Sequence, residues 1–194
     1  MAKQKILEIR WHGRGGQGAK TAALLFADAA LSSGQYVQAF PEYGPERMGA
    51  PVASFNRLSD APITLHCGIT DPKMVIVLDP SLMGKVNVTQ GMPDDGILIV
   101  NTPDTPKSVR EMLKLKGSKV FTVDASGISK SAIGRDIPNT PMLGALLKAS
   151  GMLDFKQTID ETRKKLQKKF ASKPEVVEGN IKAIERAYEE VKGE

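Results

Sequence analysis

The chain has 194 residues but only one cysteine, Cys67. A single thiol cannot close an intramolecular disulfide, build a Cys-only zinc site or ligate an iron–sulfur cluster from this chain by itself. Redox metal chemistry would have to be borrowed. Aromatic residues make up 5% of the sequence, too few for the stacking platforms that hold single-stranded nucleic acid. The excess of 27 Lys+Arg over 22 Asp+Glu is too mild to argue for nucleic acid on charge alone. Long apolar runs are missing as well. Residues 22–31 are interrupted by Asp28 and fall far short of the roughly 20 residues a membrane span needs. Residues 1–10 alternate charged and apolar side chains and lack the apolar core of a signal peptide. The expectation is a cytoplasmic protein that binds neither nucleic acid nor membrane.

What remains is an ordinary globular composition, 41% hydrophobic and 25% charged, on a length that suits one α/β-sized domain with a sizeable core. Residues 6–11 alternate Ile6, Glu8 and Arg10 with Leu7, Ile9 and Trp11, which reads as a strand. Residues 16–33 are rich in Ala and Leu and read as a helix with Gly34 at its C-terminal cap. A short strand over 36–40 follows, then a Pro- and Gly-rich loop over 41–51 that cannot be regular and is a place to look for function. Residues 52–56 and 63–66 flank the turn Ser59-Asp60-Ala61-Pro62 and suggest an antiparallel hairpin. Apolar strands over 74–78, 97–100 and 119–123 end at Asp79, Asn101 and Asp124, with room for short helices between them. This alternation predicts a three-layer α/β/α fold with a mixed, mostly parallel sheet. Asp79, Asn101 and Asp124 fit helix caps, Asp79 with Pro80 at the first helical position.

The tail differs. Asp154 with Gln157, and Ser172 with Glu175, read as capping boxes for two amphipathic helices. The expected division is an α/β domain over 1–153 and a C-terminal helical pair over 154–194 packed on it. The first helix is expected on the domain's edge, and the second partly against a partner chain. The basic cluster from Arg163 to Lys169 reads as a solvated helix face.

The densest motif is Trp11-His12-Gly13-Arg14-Gly15-Gly16-Gln17-Gly18-Ala19-Lys20-Thr21. It lies at a strand-to-helix junction, where backbone N–H groups and the helix dipole can hold an anion. Gly13, Gly15 and Gly18 fit the dinucleotide pattern G-x-G-x-x-G, but position 38 is Gln38 where an acidic residue would bind the ribose. Gly13 and Gly18 also have the separation of a triphosphate-binding loop. There, Ala19 displaces Lys20 by one residue, a rotation of about 100° that turns it away from the phosphates. The glycines can equally serve only a tight turn and close helix packing. His12 can orient the loop or act as an acid or base.

Four ordered motifs point further. The string from His12 to Gly18, the loop Tyr43-Gly44-Pro45-Glu46-Arg47-Met48-Gly49-Ala50-Pro51, the turn Leu58-Ser59-Asp60-Ala61-Pro62-Ile63, and Asn139-Thr140-Pro141-Met142-Leu143-Gly144-Ala145 occur in that order. Together they resemble the gamma subunit of the pyruvate and 2-ketoisovalerate ferredoxin oxidoreductases, over nearly the whole chain. The family often has a further glycine after Arg-Gly where this chain runs Arg47-Met48-Gly49. The resemblance implies a complex that decarboxylates a 2-oxo acid oxidatively onto coenzyme A and passes electrons to ferredoxin, with pyruvate as the expected acid. It implies alpha, beta and delta partner subunits, and thiamine diphosphate, magnesium and iron–sulfur clusters held on those partners. The chain itself would be inert alone. Gly13, Gly15, Gly16, Gln17, Gly18 and Arg47 are the candidate binding residues on it, and no catalytic or metal-ligating residue is expected. The alternatives from other classes are a stand-alone dinucleotide-binding dehydrogenase and a purely structural docking subunit.

Overall fold

The computed structural model describes residues 5–42 and 49–194. β1 (Ile6–Arg14) leads through a glycine turn into α1 (Ala19–Ser32), then β2 (Tyr36–Pro41), β3 (Pro51–Ser59), β4 (Met74–Val77), a 3-10 turn (Pro80–Leu82), β5 (Ile97–Asn101) and α2 (Pro106–Leu113). β6 (Lys119–Val123), α3 (Ala125–Ile133), α4 (Asn139–Ser150), α5 (Phe155–Lys169), α6 (Pro174–Glu190) and a two-residue β7 (Lys192–Gly193) complete it. The strands form one sheet in the order β2-β3-β1-β4-β5-β6-β7. The four central strands from β1 to β6 run parallel, while β3, β2 and β7 join antiparallel. The predicted mixed α/β sheet is the observed one.

The alternation in β1 sorts its side chains between two unlike faces. Ile9 and Trp11 are fully buried against α1, and the Trp11 Nε1–H donates to Asn56 Oδ1 at 2.8 Å while Asn56 Nδ2 donates to the Ala23 carbonyl at 2.9 Å. This relay satisfies polar groups inside the largest apolar cluster, which joins β1 and β4 to α1, α3, α4, α5 and α6. On the opposite face Val75, Val77, Leu98, Val100 and Val120 pack with Leu82, Val88 and Val109 in a smaller cluster. Next to it the outer face of β1 and β3 is polar. Arg57, only 1% exposed, pairs with Glu8 at 2.7 Å and donates to the carbonyls of Cys67 at 2.8 Å and Gly68 at 3.0 Å. A buried guanidinium thereby anchors an irregular segment to the sheet.

Three expectations need correction. Residues 63–66 do not pair with β3, because both edges of β3 are taken by β1 and β2; the carbonyls of Ile63 and Leu65 accept instead from the Gln38 amide. Between β4 and β5 only the 3-10 turn forms among the described residues, in a segment broken by Pro80, Gly84, Gly91 and Pro93. Ser172 does not cap α6. Lys173 is the N-cap residue, without a side-chain cap bond, and Pro174 starts the helix. Asp154 does cap α5, accepting from Gln157 N at 2.7 Å.

α6 lies along α4 and α3 with Val177, Ile181, Ala183, Ile184 and Ala187 buried, whereas α5 rides outside on α1 and α6. The crossing of α4 and α6 is so close that a Cβ at Gly144 would be driven into the Ile184 carbonyl. α4 explains this order: residues from Asn139 to Leu147 are all buried, so the helix needs cover on its outer side as well as on the sheet.

Candidate functional site

β1 runs straight through Gly13 to Arg14, and the chain then turns at Gly15 to Gly18 into α1. Gly16 and Gly18 have φ of 99° and 83°, the left-handed region that glycine enters without strain. Gly18 is the N-cap residue of α1, and a Cβ there would come within 2.6 Å of Asn139 Nδ2. Both backbone conformation and packing therefore demand glycine at this point. α1 has no side-chain cap and no acidic residue in its first turn, so its first N–H groups are left to solvent or a ligand.

The loop is braced from below by charged and amide side chains. Gln17 Oε1 accepts from Arg14 N at 2.7 Å, and Gln17 Nε2 donates to Asp79 Oδ2 at 2.8 Å. Arg14 donates Nε to the same Asp79 oxygen at 3.0 Å, Nη1 to the Gly49 carbonyl at 3.0 Å and Nη2 to Ser81 Oγ at 2.9 Å. Burial pushes the Asp79 carboxyl up, but hydrogen bonds from Ser81 and Gln17 and the Arg14 charge outweigh it, so Asp79 titrates below its ordinary range. Asp79 also caps the 3-10 turn through Ser81 N at 2.9 Å. Gly15 N donates to Ala50 O at 3.0 Å and Gly49 N to Gly15 O at 3.2 Å, which ties the end of the 41–51 loop to the glycine turn. Arg47, with the rest of 43–48, lies outside the described residues.

Above this braced turn opens a cleft of about 830 Å³. Gly16 and Gly18 form one wall, Asn139 and Thr140 at the start of α4 another, and Arg135, Lys165, Lys169 and Lys173 bring positive charge. Lys165 is paired with Asp28 at 3.1 Å. The uncapped N-terminus of α1 and the cations Arg135, Lys169 and Lys173 thus border one space, with Glu175 and the Asp28–Lys165 pair also on its lining, a net positive arrangement suited to an extended anion.

The remaining candidates fall elsewhere. Lys20 is exposed on α1, away from any phosphate-cradling position. Gln38, where a ribose-binding acid would be needed, bonds the Leu65 carbonyl at 3.0 Å and accepts from Arg57 at 3.3 Å. Asp124 caps α3, and Asn101 ties β5 to Leu78 O at 2.8 Å and to Ser126 Oγ at 3.0 Å. His12 is buried on the other face of the sheet from α1. Burial first, and the Arg10 charge second, lower its pKa to about 4, with the Val88 backbone opposing. Among the described residues no group of three His, Cys, Asp or Glu could hold a metal ion. Asn139, Arg135 and Lys173 were not legible as cleft residues, because the elements carrying them are far apart in sequence; the only local signal was Asn139-Thr140-Pro141 opening an apolar run.

Comparison with known proteins extends this picture. Residues 8–190 match the family described as pyruvate ferredoxin/flavodoxin oxidoreductase. The chain is 46% identical over 189 residues to pyruvate synthase subunit PorC of Thermotoga maritima, covering 97% of this chain and 96% of the relative. It is also 46% identical to the pyruvate/ketoisovalerate oxidoreductases common subunit gamma of Thermococcus kodakarensis, over 94% of this chain and 96% of that one. The crystal structure of the Thermotoga maritima pyruvate oxidoreductase subunit superposes with a TM-score of 0.85 at 43% identity, covering 97% and 98% of the two chains. A 2-oxoglutarate:ferredoxin oxidoreductase from Magnetococcus marinus, solved with 2-oxoglutarate, coenzyme A and succinyl-CoA bound, shares the fold at a TM-score of 0.73 and 18% identity; the match covers 95% of this chain and 31% of that one.

Proposed function

The chain belongs to the pyruvate ferredoxin/flavodoxin oxidoreductase family, and from that premise we propose the part it plays: it is the gamma subunit of a 2-oxoacid:ferredoxin oxidoreductase, with pyruvate as the 2-oxo acid, and it helps hold coenzyme A. The reaction is an oxidative decarboxylation with an iron–sulfur protein as electron acceptor. The observation that carries the coenzyme A assignment is the cleft itself. Gly16 and Gly18 at the uncapped start of α1, together with Arg135, Lys169 and Lys173, line a volume that admits a nucleotide phosphate. Gly13, Gly15 and Gln17 give the loop its shape, and Arg47 stays a candidate contact on the sequence alone.

The chain's own residues do not fit the redox cofactors. One cysteine cannot provide the thiolates of a cluster. Thiamine diphosphate, magnesium and the iron–sulfur clusters are therefore assigned to the alpha, beta and delta partners, and the isolated chain to an inactive state. No helix among the described residues is long and apolar enough to cross a membrane, in keeping with a cytoplasmic complex.

The test uses the assembled complex. Replacing Lys169 and Lys173 together by Ala should raise the apparent KM for coenzyme A by about tenfold or more, the equivalent of two modest charge-assisted contacts, with the KM for pyruvate unchanged. An unchanged KM for coenzyme A in a normally assembled complex would leave the cleft without this role.

A further inference from the structure

β2 is the outermost strand of the sheet, paired with β3 on one side and, among the described residues, with no strand on the other. The antiparallel ladder decides which of its backbone groups are left over. Glu42 N donates to the Ala53 carbonyl at 3.0 Å, one step beyond the facing residues Pro41 and Ser54. Hydrogen-bonded pairs alternate along such a ladder, so Phe40, Gln38 and Tyr36 turn their N–H and C=O groups to β3, while Ala39 and Val37 turn theirs to the open edge. No hydrogen bond among the described residues reaches those outward groups. Solitary edges are usually guarded by lysines, bulges or prolines. Here residues 29–41 carry no charge, and the one proline, Pro41, stands at the strand's end.

Apolar side chains border this edge on both faces of the sheet. α5 packs along the Asp28 side of α1, where Lys165 pairs with Asp28. Leu24, Ala27 and Leu31 follow one another at helical spacing on the other flank, beside β2. Leu24 is 44% and Leu31 63% exposed. On the opposite face Tyr36 is 47% exposed, and Leu65, whose carbonyl the Gln38 amide holds, 41%. Four of the five exposed large hydrophobics among the described residues thus surround one strand, a concentration that marks a contact surface.

Outward N–H and C=O groups in a row recognise another extended strand, and this strand fits itself. With Gln38 on a two-fold axis, Val37 faces Ala39 of a second copy and Ala39 faces its Val37, so the leftover groups of each satisfy those of the other. In the closer positions between these pairs, Tyr36 meets Phe40 of the second copy, an aromatic cross-strand pair of the kind that stabilises sheets. Nothing charged lies in either strand to repel its twin. Val37 packs on the α1 side of the sheet, so the same axis sets the Leu24, Ala27 and Leu31 stripes of two α1 helices side by side across the seam.

We propose that β2 pairs antiparallel with β2 of a second copy of this chain, joining two sheets into one about a two-fold axis. The cleft lies on the α5 side of α1, clear of the seam, and the pairing does not depend on the coenzyme A reading.

Sedimentation velocity of the full chain from about 1 to about 100 μM should show a monomer passing into a dimer, as for an interface in the micromolar class. Over the same range, backbone hydrogen exchange at Val37 and Ala39 should slow severalfold. Leu31→Glu combined with Tyr36→Lys, both at exposed positions, should keep the parent Tm and sediment as a monomer throughout. Met112→Glu, an exposed apolar residue on α2 away from the seam, should dimerise like the parent. The concentration dependence of exchange in the unaltered chain decides the matter even if the paired substitution does not fold. A monomer at the highest concentration, a dimer that survives the paired substitution, or a dimer in which Val37 and Ala39 exchange as fast as in the monomer overturns the proposal. Protection of Val37 and Ala39 that arises only in the assembled complex, with the chain alone monomeric, would give the edge to another subunit and overturn it equally.

Discussion

Gln17 and Asp79, 62 residues apart in sequence, meet at 2.8 Å beneath the glycine turn, and Arg14 shares the same carboxylate oxygen at 3.0 Å. The other end of the Gln17 amide accepts from Arg14 N. One side chain thus locks the turn to its own strand and to the end of the neighbouring one, while Gly16 and Gly18 line the cleft. The shape of the anion site is set by groups that need not touch the anion.

Gln17→Ala removes both bonds and leaves Arg14, among the described residues, as the one side chain of the turn bonded to Asp79. The expected loss is about 1–2 kcal/mol of stability, read as a fall in Tm of roughly 2–8 °C for a chain of this size. In the assembled complex the apparent affinity for coenzyme A should weaken too. Unchanged values of both would mean the turn holds its shape without this brace.

His12 makes stability depend on pH in a defined window. Its folded pKa of about 4 lies below the ordinary 6.5, so above pH 6.5 the ring is neutral whether the chain is folded or not. As pH falls from 6.5 to 4 the unfolded chain takes up a proton that the folded one refuses, and stability declines by up to about 3 kcal/mol. Denaturant titrations at pH 7 and pH 4.5 should show a smaller decline in His12→Gln than in the parent chain. Equal declines would show that His12 is not the group responsible.

Truncation after Ser172 should abolish cooperative folding. It strips α6 from α4 and α3 and exposes a surface on which Val177, Ile181, Ile184 and Ala187 are buried, far more apolar area than a marginally stable domain can lose. A shortened chain that melts cooperatively near the parent Tm would contradict the packing described.

Lys20→Ala should change stability by no more than about 0.5 kcal/mol, as for an ordinary exposed position. ATP should not raise the Tm of either protein. A triphosphate-dependent stabilisation that vanishes in Lys20→Ala would restore the phosphate-loop reading.

Where the sequence could be read and where it could not has a physical pattern. Strands such as Lys119–Val123 and helices such as Phe155–Lys169 announce themselves through local periodicity and caps. The glycine turn was visible because left-handed positions at Gly16 and Gly18 admit little else. The partners of β3 were not, since strand pairing is decided by which edges are free, and the pattern in 52–66 suits a local hairpin equally well. Nor could spacing reveal that Asn139, Lys165 and Lys173 face the same cleft as Gly18, because three separate helices must pack before those residues meet. Glu8, Arg10 and His12 alternate like an exposed strand face, yet the irregular segments tied down by Arg57 and Arg10 cover it.

That polar second face divides the molecule by how easily its parts open. On the α1 side, strands and helices interlock through fully buried Ile, Leu and Trp, and their amides should exchange with solvent only when the whole chain unfolds. The segment around the exposed Cys67 is held to the sheet chiefly by Arg57–carbonyl bonds and has few ladder bonds of its own, whereas Val88 is anchored in the smaller apolar cluster. The Cys67 segment should therefore open in smaller, lower-energy excursions than the elements around it. One end of the subunit can therefore adapt its surface to a neighbour while the other keeps a fixed geometry for its ligand.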